Sequence, residues 1–500
     1  MRLPRGRLAS YALPSAIFGL ALVVRLVPVL RGGGLDGVLA YDDGVYFSAA
    51  SALLSGRLPY ADYLLLHPPG ITLVLAPFAA LARATSDPVG IAVARLAFMA
   101  VGAASAVLAY RVARRLSPVA GWVAGVLYAV WPAATNAERT TLLEPLVNLG
   151  ALGSLALLGD LRPESRRRTV LAGVTIGLAV AVKVWAAVPF ALLGLWVLRR
   201  AGRRSAGWYV GAGVAAASAV CAPFVALAPG RMLHMVVLDQ LGRADNGVSG
   251  VQRLAAIEGL ALSPGQPTYG PVPVVVAVAA GAVIAAVAVR QAVARPWCTL
   301  AVGEVAVVLF LPVYFRHYSA FAAPGLVLVA GSAADLALLT VRQRRRELVR
   351  VAAGAMACSL AALAIFGVLQ TKGRPLPQDQ VMRLVAGSRC VAADTPAALV
   401  VTNLLSRNLR RGCPVLVDVT GLAYDLDQGG LAAGPTPLAR RRDTAWQRVV
   451  YRHLAAADAV LLARWRGTGL TQNVLERLTT AGTSIGTERF RVVVDRPQRR

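Results

Sequence analysis

Apolar runs recur along the first 370 residues, broken by short polar or basic stretches. They lie near 13–30, 89–110, 118–132, 141–160, 169–184, 186–200, 206–228, 271–290, 297–313, 319–340 and 350–369. Most approach the ~20 residues a helix needs to cross a bilayer. The pattern predicts an α-helical polytopic membrane protein with about eleven transmembrane helices. A further run, 70–82, begins after Pro68-Pro69 and is thirteen residues long, too short to cross. It predicts a half-buried helix on the outer face. After 370 the hydropathy falls and short strand-like runs (Val391–Ala393, Val415–Val417, "ADAVLL", "FRVVV") alternate with helical ones ("TAWQRVVYRHLAA", "LTQNVLERLTTAG"). That alternation predicts a small α/β domain. The expected division is a membrane domain over 1–370, with an outer loop at 31–88, and a separate domain over 371–500.

Composition sharpens this picture. The chain has 500 residues, 57% of them hydrophobic, and a formal net charge of +27. The charge is almost all arginine, in clusters between the apolar runs: Arg2/Arg5/Arg7, Arg111/Arg114/Arg115, Arg162/Arg166/Arg167/Arg168, Arg199/Arg200/Arg203/Arg204, Arg290/Arg295 and Arg342/Arg344/Arg345/Arg346. Such clusters are cytoplasmic anchors under the positive-inside rule, and nucleic-acid binding is not expected. The amino end has the basic start and apolar core of a signal peptide but no A-x-A-like site, so it is expected to stay as a first span that starts in the cytoplasm. With all six clusters inside, the loops 31–88, 133–140, 229–270 and 314–318 fall outside, as does the whole region after 370. The C-terminal domain is then extracytoplasmic.

This registration gathers the unusual polar residues on one side. Asp42-Asp43 precede a helix whose serines, Ser48, Ser51 and Ser55, share one face, an amphipathic pattern suited to an interface. One Asp serves as a helix cap; two adjacent ones at a membrane edge point to work, such as general-base activation of a hydroxyl. His67 is held extended by Pro68-Pro69. Glu138-Arg139 reads as a loop ion pair or a substrate contact. Glu144 stands just inside a span. Lys183 beside Trp185 reads either as a snorkelling anchor or as a phosphate-binding cation, and Arg316-His317-Tyr318 suits a phosphate and a sugar ring. No His-x3-His, Cys-x2-Cys or Walker loop occurs, so no cofactor is expected; a divalent cation on Asp42 and Asp43 is the one metal arrangement left open. Cys390 and Cys413, in the extracytoplasmic domain, are expected to form a disulfide.

The order of these motifs resembles the GT-C superfamily of membrane glycosyltransferases, with the protein O-mannosyltransferases and lipid A aminoarabinose transferases as cousins. The resemblance rests on Asp42-Asp43 and the helix after it, "HPPG", "ERTTLLEP", "GLAVAVK" and "RHYSAFAAPGLVLVAG", over about residues 13–340. It implies a GT-C-like fold and inverting transfer of a hexose or pentose, at the outer face, from a polyprenyl-phosphate donor to an acceptor hydroxyl. The acceptor is a glycan, a glycolipid or a protein. It implies Asp42 or Asp43 as base. It places His67, Glu138, Arg139, Glu144, Lys183, Arg316, His317 and Tyr318 at the substrates, Lys183 and Arg316 as cations for the lipid phosphate. The competing class is a transporter or flippase for a lipid-linked sugar or polysaccharide. That class calls for midplane charges and internal repeats, and the gathering of the motif residues on one side weighs against it.

Overall fold

The structure is a computed structural model that describes residues 5–159, 165–260, 270–342, 346–425, 436–464, 467–487 and 490–494. Arg2, Arg162, Arg344 and Arg345 of the basic clusters lie outside the described residues. Helices dominate: α1 Arg5–Arg31, α2 Tyr41–Leu54, α3 Gly70–Ala84, α4 Asp87–Ala113, α5 Pro118–Val130, α6 Pro132–Glu138, α7 Glu144–Leu158, α8 Arg166–Val180 and α9 Ala187–Leu227. After short helical turns over 229–257 come α10 Val272–Arg290, α11 Arg295–Phe310, α12 Ala323–Arg342 and α13 Arg346–Leu369. Every apolar run of the sequence is helical. Among the described residues six helices are long and apolar enough to cross a membrane, or seven if α5 and α6, bent by 54° at Trp131, make one span. Glu144–Leu158 and Gly354–Leu369 are apolar but shorter. The expected runs 186–200 and 206–228 fuse into α9, which breaks at Gly202 (φ 79°, ψ 177°) inside the arginine cluster.

The chain divides into two compact units. One comprises Met1–Pro28, Leu96–Val220 and Val248–Gln370. Its helices meet through small residues. Gly173 and Gly177 on α8 form a small-xxx-small stripe against the second limb of α9. A β-carbon on either would stand 2.2 Å from a backbone oxygen, of Tyr209 and Gly213 respectively, so only glycine permits this approach. The outward residues of α10, including Val275 and Val278, are exposed and apolar, which suits a helix solvated by lipid.

The other unit comprises Val29–Arg95, Cys221–Gly247 and Thr371–Arg500. The loop after the first apolar helix and the tail therefore fold together. Its sheet contains β1 Val391–Ala393, β2 Ala459–Leu462, β3 Thr483–Thr487 and β4 Phe490–Val494, ordered β1-β2-β4-β3. β1 and β2 run parallel; β4 is antiparallel to β2 and β3. Around it lie α14 Pro396–Val401, α15 Leu405–Arg410, α16 Thr444–Ala455 and α17 Gln472–Thr479. The run Val415–Val417 is not a strand, whereas β3 was not expected: its Thr, Ser and Gly carry no apolar signal, and its pairing with β4 forms it. Cys390 and Cys413 are joined, with Cα atoms 5.6 Å apart.

A second expectation is corrected. Helix α2 is not an amphipathic interfacial helix. Residues Asp43 to Ala52 are buried on all sides, Ser48 and Ser51 included. α3 covers one side and α14 of the tail the other. Gly44 lets them meet, because a β-carbon there would stand 2.3 Å from the Ala397 nitrogen. The serines are tolerated because small side chains fit a helix packed on both flanks. Ser51 also bonds to the Phe47 carbonyl at 3.0 Å.

Candidate active site

The two aspartates at the start of α2 meet different fates. Asp43 is fully buried and ion-paired with Arg95 of α4: Nε donates to Oδ2 at 3.0 Å, and Nη2 donates to the same oxygen. Arg95 Nη1 also donates to the carbonyls of Leu35 (2.5 Å) and Gly37 (2.8 Å). This carboxylate closes a loop. Asp42, one residue earlier, is half-exposed. Tyr41 anchors the helix start beside it: its hydroxyl donates to Asp418 Oδ1 at 2.9 Å and accepts from Thr420 N at 2.8 Å, and the Arg464 guanidinium lies 4.8 Å from its ring. Burial pushes the Tyr424 phenol up to about 12; Arg243 and Arg440 pull it down, while Asp418 and Asp42 add to the rise. Asp42 is thus within electrostatic reach of Tyr424. Tyr46, one turn on along α2, meets His67 edge-on with ring centroids 5.8 Å apart. The His67 carbonyl accepts from the Tyr60 hydroxyl at 2.7 Å, which fixes the His-Pro-Pro entry to α3.

A second cluster forms within the helical unit. Lys183, at the extended turn after α8, is buried and donates to Glu144 Oε1 at 2.5 Å. Its ammonium sits 3.7 Å from the Trp185 ring centre and 4.2 Å from that of Tyr318. His317 packs edge-on against Tyr318 at 4.7 Å, and Arg316 beside it is half-exposed. The second Glu144 oxygen, Oε2, is buried with no hydrogen-bond partner. The ammonium is thus held by a carboxylate and two aromatic faces, a desolvated cation whose charge is met within the helical unit.

Glu138 and Arg139 are committed to the chain itself. Glu138 takes Nε of Arg25 at 2.7 Å, a second bond from Arg25 Nη2, and the Tyr128 hydroxyl at 2.8 Å. Asn148 Nδ2 extends this network to the Tyr128 hydroxyl at 3.2 Å and to the Ala320 carbonyl at 2.8 Å, where it steadies the Arg316–Ala322 turn. Arg139 donates to the carbonyls of Val24 (2.9 Å) and Gly367 (3.0 Å) and to Gln370 Oε1 (3.1 Å), tying α1 to α13. Arg25, Arg95, Tyr128 and Asn148 were missed from sequence. Two of them had a signal: a lone arginine inside an apolar run requires an acidic partner.

The model of Glycosyltransferase family 87 matches residues 65–312, a range that includes His67, Glu138, Arg139, Glu144 and Lys183. No curated protein sequence matches. Among solved structures, ArnT of Cupriavidus metallidurans bound to undecaprenyl phosphate superposes with a TM-score of 0.61 at 16% identity, covering 96% of this chain and 97% of that one. The archaeal oligosaccharyltransferase AglB of Archaeoglobus fulgidus, in complex with an inhibitory peptide and a dolichol-phosphate, does so at 0.56 and 12%, covering 95% and 72%. The S. cerevisiae protein O-mannosyltransferase Pmt1-Pmt2 complex reaches only 0.35 over 46% of this chain and 34% of that one, at 17% identity, too slight to argue from. The fold is that of the GT-C membrane glycosyltransferases, the superfamily the sequence motifs resemble. Family model and fold agree on a glycosyltransferase of the GT-C type.

Proposed function

We propose that this protein transfers a sugar from a polyprenyl-phosphate donor to an acceptor hydroxyl at the outer face of the membrane, with inversion. The observation that carries the reading is the contrast at the start of α2: Asp43 is consumed by Arg95, and Asp42 is left half-exposed on an anchored helix end. Asp42 takes the acceptor proton as the acceptor oxygen attacks the anomeric carbon. The bond from that carbon to the phosphate oxygen breaks, and its electron pair leaves with the polyprenyl phosphate. Lys183 and Arg316 are the cations for that phosphate. Two structural neighbours carry undecaprenyl phosphate or dolichol-phosphate, which supports a lipid-phosphate donor.

The sidedness is the one expected from the basic clusters, which call for a cytoplasmic start and an odd number of crossings before the tail. Loop 29–95, segment 221–247 and the tail form one compact unit, which supports a shared side for all three. The Cys390–Cys413 disulfide suits an oxidising compartment there. Over 371–500 the tail is then the extracytoplasmic domain, and 1–370 the membrane domain.

The test is transfer of label from a labelled polyprenyl-phosphate sugar to acceptor fractions by purified protein in membranes. Asp42→Asn should abolish transfer and leave retention of the lipid donor intact, because the amide keeps the shape but cannot take a proton. Full turnover in Asp42→Asn overturns the assignment. Lipid-linked label that crosses the bilayer and never reaches an acceptor would favour the transporter reading instead.

A further inference from the structure

Outside the residues discussed so far, one cluster combines an imidazole with two deeply buried carboxylates: His234, Asp239 and Asp425. One ligand atom from each lies within 4.8 Å of the other two. His234 Nε2 and Asp239 Oδ1 are 3.1 Å apart. Asp239 is fully buried, Asp425 is 4% exposed, and the His234 side chain 20%. All three belong to the unit that contains the tail.

The spacing has a local cause. Residues five apart stand about 140° apart around an α-helix. Here His234–Leu238 is a π-helical turn. Such a turn closes i to i+5, so it brings His234 and Asp239 onto one side. Asp425 arrives from the tail immediately after the turn Gly421–Tyr424.

We infer that His234, Asp239 and Asp425 bind one divalent transition cation of the zinc or manganese class. The geometry argues for it: an imidazole nitrogen and two carboxylate oxygens converge in one place, and both carboxylates are buried. The mixed nitrogen and oxygen donors suit zinc or manganese more than magnesium or calcium. Ligands about 2.0–2.2 Å from a tetrahedral zinc lie about 3.4 Å from each other. The His234–Asp239 pair is already near that separation, and Asp425 needs a shift of about 1.5 Å at most. Three protein ligands leave one position for water. The ion would staple 234–239 to the tail next to Tyr424, the ring within electrostatic reach of Asp42. The four histidines are scattered and His-x4-Asp is no standard ligand spacing, so the set is visible only once the π turn and the tail are in place.

The experiment uses the full chain in detergent, its affinity tag removed. The protein is stripped with a chelator and reloaded with zinc chloride or manganese chloride alone. Bound metal is counted by mass spectrometry after gel filtration, and melting is followed in parallel. We expect one ion per chain and a melting temperature several degrees higher on reloading. Asp425→Asn and His234→Gln should each retain less than a tenth of that metal at the same free concentration and show no melting shift, while His317→Gln retains it all. Under one fifth of an ion in the wild type, or equal metal in both ligand variants and the wild type, would overturn the site. The zinc-edge absorption spectrum of the loaded wild type needs no variant to fold. It should show a nitrogen and oxygen shell with a single imidazole; sulfur or several imidazoles would overturn it equally.

Discussion

Replacing Asp43 with Asn should destabilise the protein far more than replacing Asp42. Asp43→Asn leaves the Arg95 guanidinium fully buried, still bonded to the carbonyls of Leu35 and Gly37 but with no counter-charge. Removing one partner of a buried pair costs about 3–5 kcal/mol, because the other charge stays desolvated. In a cooperative unit of this size that lowers Tm by on the order of 10 °C. Asp42 is half-exposed, and Asp42→Asn should change stability by less than about 1 kcal/mol. Removing both charges with Asp43→Leu plus Arg95→Met should recover much of the loss, since a well-packed apolar pair can replace a buried ion pair. Thermal melting in nanodiscs reads stability, and transfer of labelled sugar reads activity. The expected pattern is a dead but stable Asp42→Asn and an unstable Asp43→Asn whose activity returns in the double variant. A stable, inactive Asp43→Asn beside an active Asp42→Asn would reverse the two roles and refute the reasoning.

Two further outcomes are expected. Lys183→Ala should cut donor kcat/KM by roughly 10–150-fold, the equivalent of a charge-assisted bond of about 1.5–3 kcal/mol; if Lys183→Met with Glu144→Gln keeps the wild-type donor KM, the pair is structural and the phosphate is held elsewhere. Burial holds His453, which lines a small cavity beside Cys390 and Cys413, down to about 4, below its ordinary 6.5. The unfolded chain therefore binds the extra proton between those values, so the contribution is complete above about pH 6.5 and is lost as pH falls toward 4. With the ring partly exposed, the loss should be about 2 kcal/mol. A His453→Gln protein whose melting falls as steeply between pH 6.5 and 4.5 as the wild type's would refute this.

What could be read from the sequence depended on how local the cause was. Apolar runs predict helices because backbone bonds close within each run, and every expected run is helical. Bends at Trp131 and Gly202 are set by proline and glycine, yet how many spans result is a question of packing that periodicity does not answer. α2 looked amphipathic because serines recur on one face; burial on both flanks comes from α3 and from a tail segment over three hundred residues away. The acids were conspicuous as charges beside apolar runs. Their partners, Arg25 and Arg95, stood inside such runs and were passed over as part of a basic background. Their immediate flanks, Val23–Val27 around Arg25 and Val93–Ala97 around Arg95, are apolar, which is the signal that a buried partner is needed.

The tail carries a consequence for catalysis. It reaches α2 at three independent points. Asp418 and Thr420 hold the Tyr41 hydroxyl, Arg464 covers the Tyr41 ring, and Ala397 rests against Gly44 where no side chain would fit. A fourth contact fixes the start of α4: Asp87 accepts from Ser406 N at 2.9 Å and from the Ser406 hydroxyl, while its own N–H donates to Asn403 Oδ1 at 2.9 Å. α4 supplies Arg95, the partner of Asp43. Both aspartates are thereby positioned through groups that the tail grips, Asp42 through its neighbour Tyr41 and Asp43 through its ion pair. A general base works only when held within hydrogen-bond reach of the proton it removes. If Asp42 is that base, residues 371–500 act in the reaction by setting its geometry, and an acceptor-binding role would be an addition to that duty.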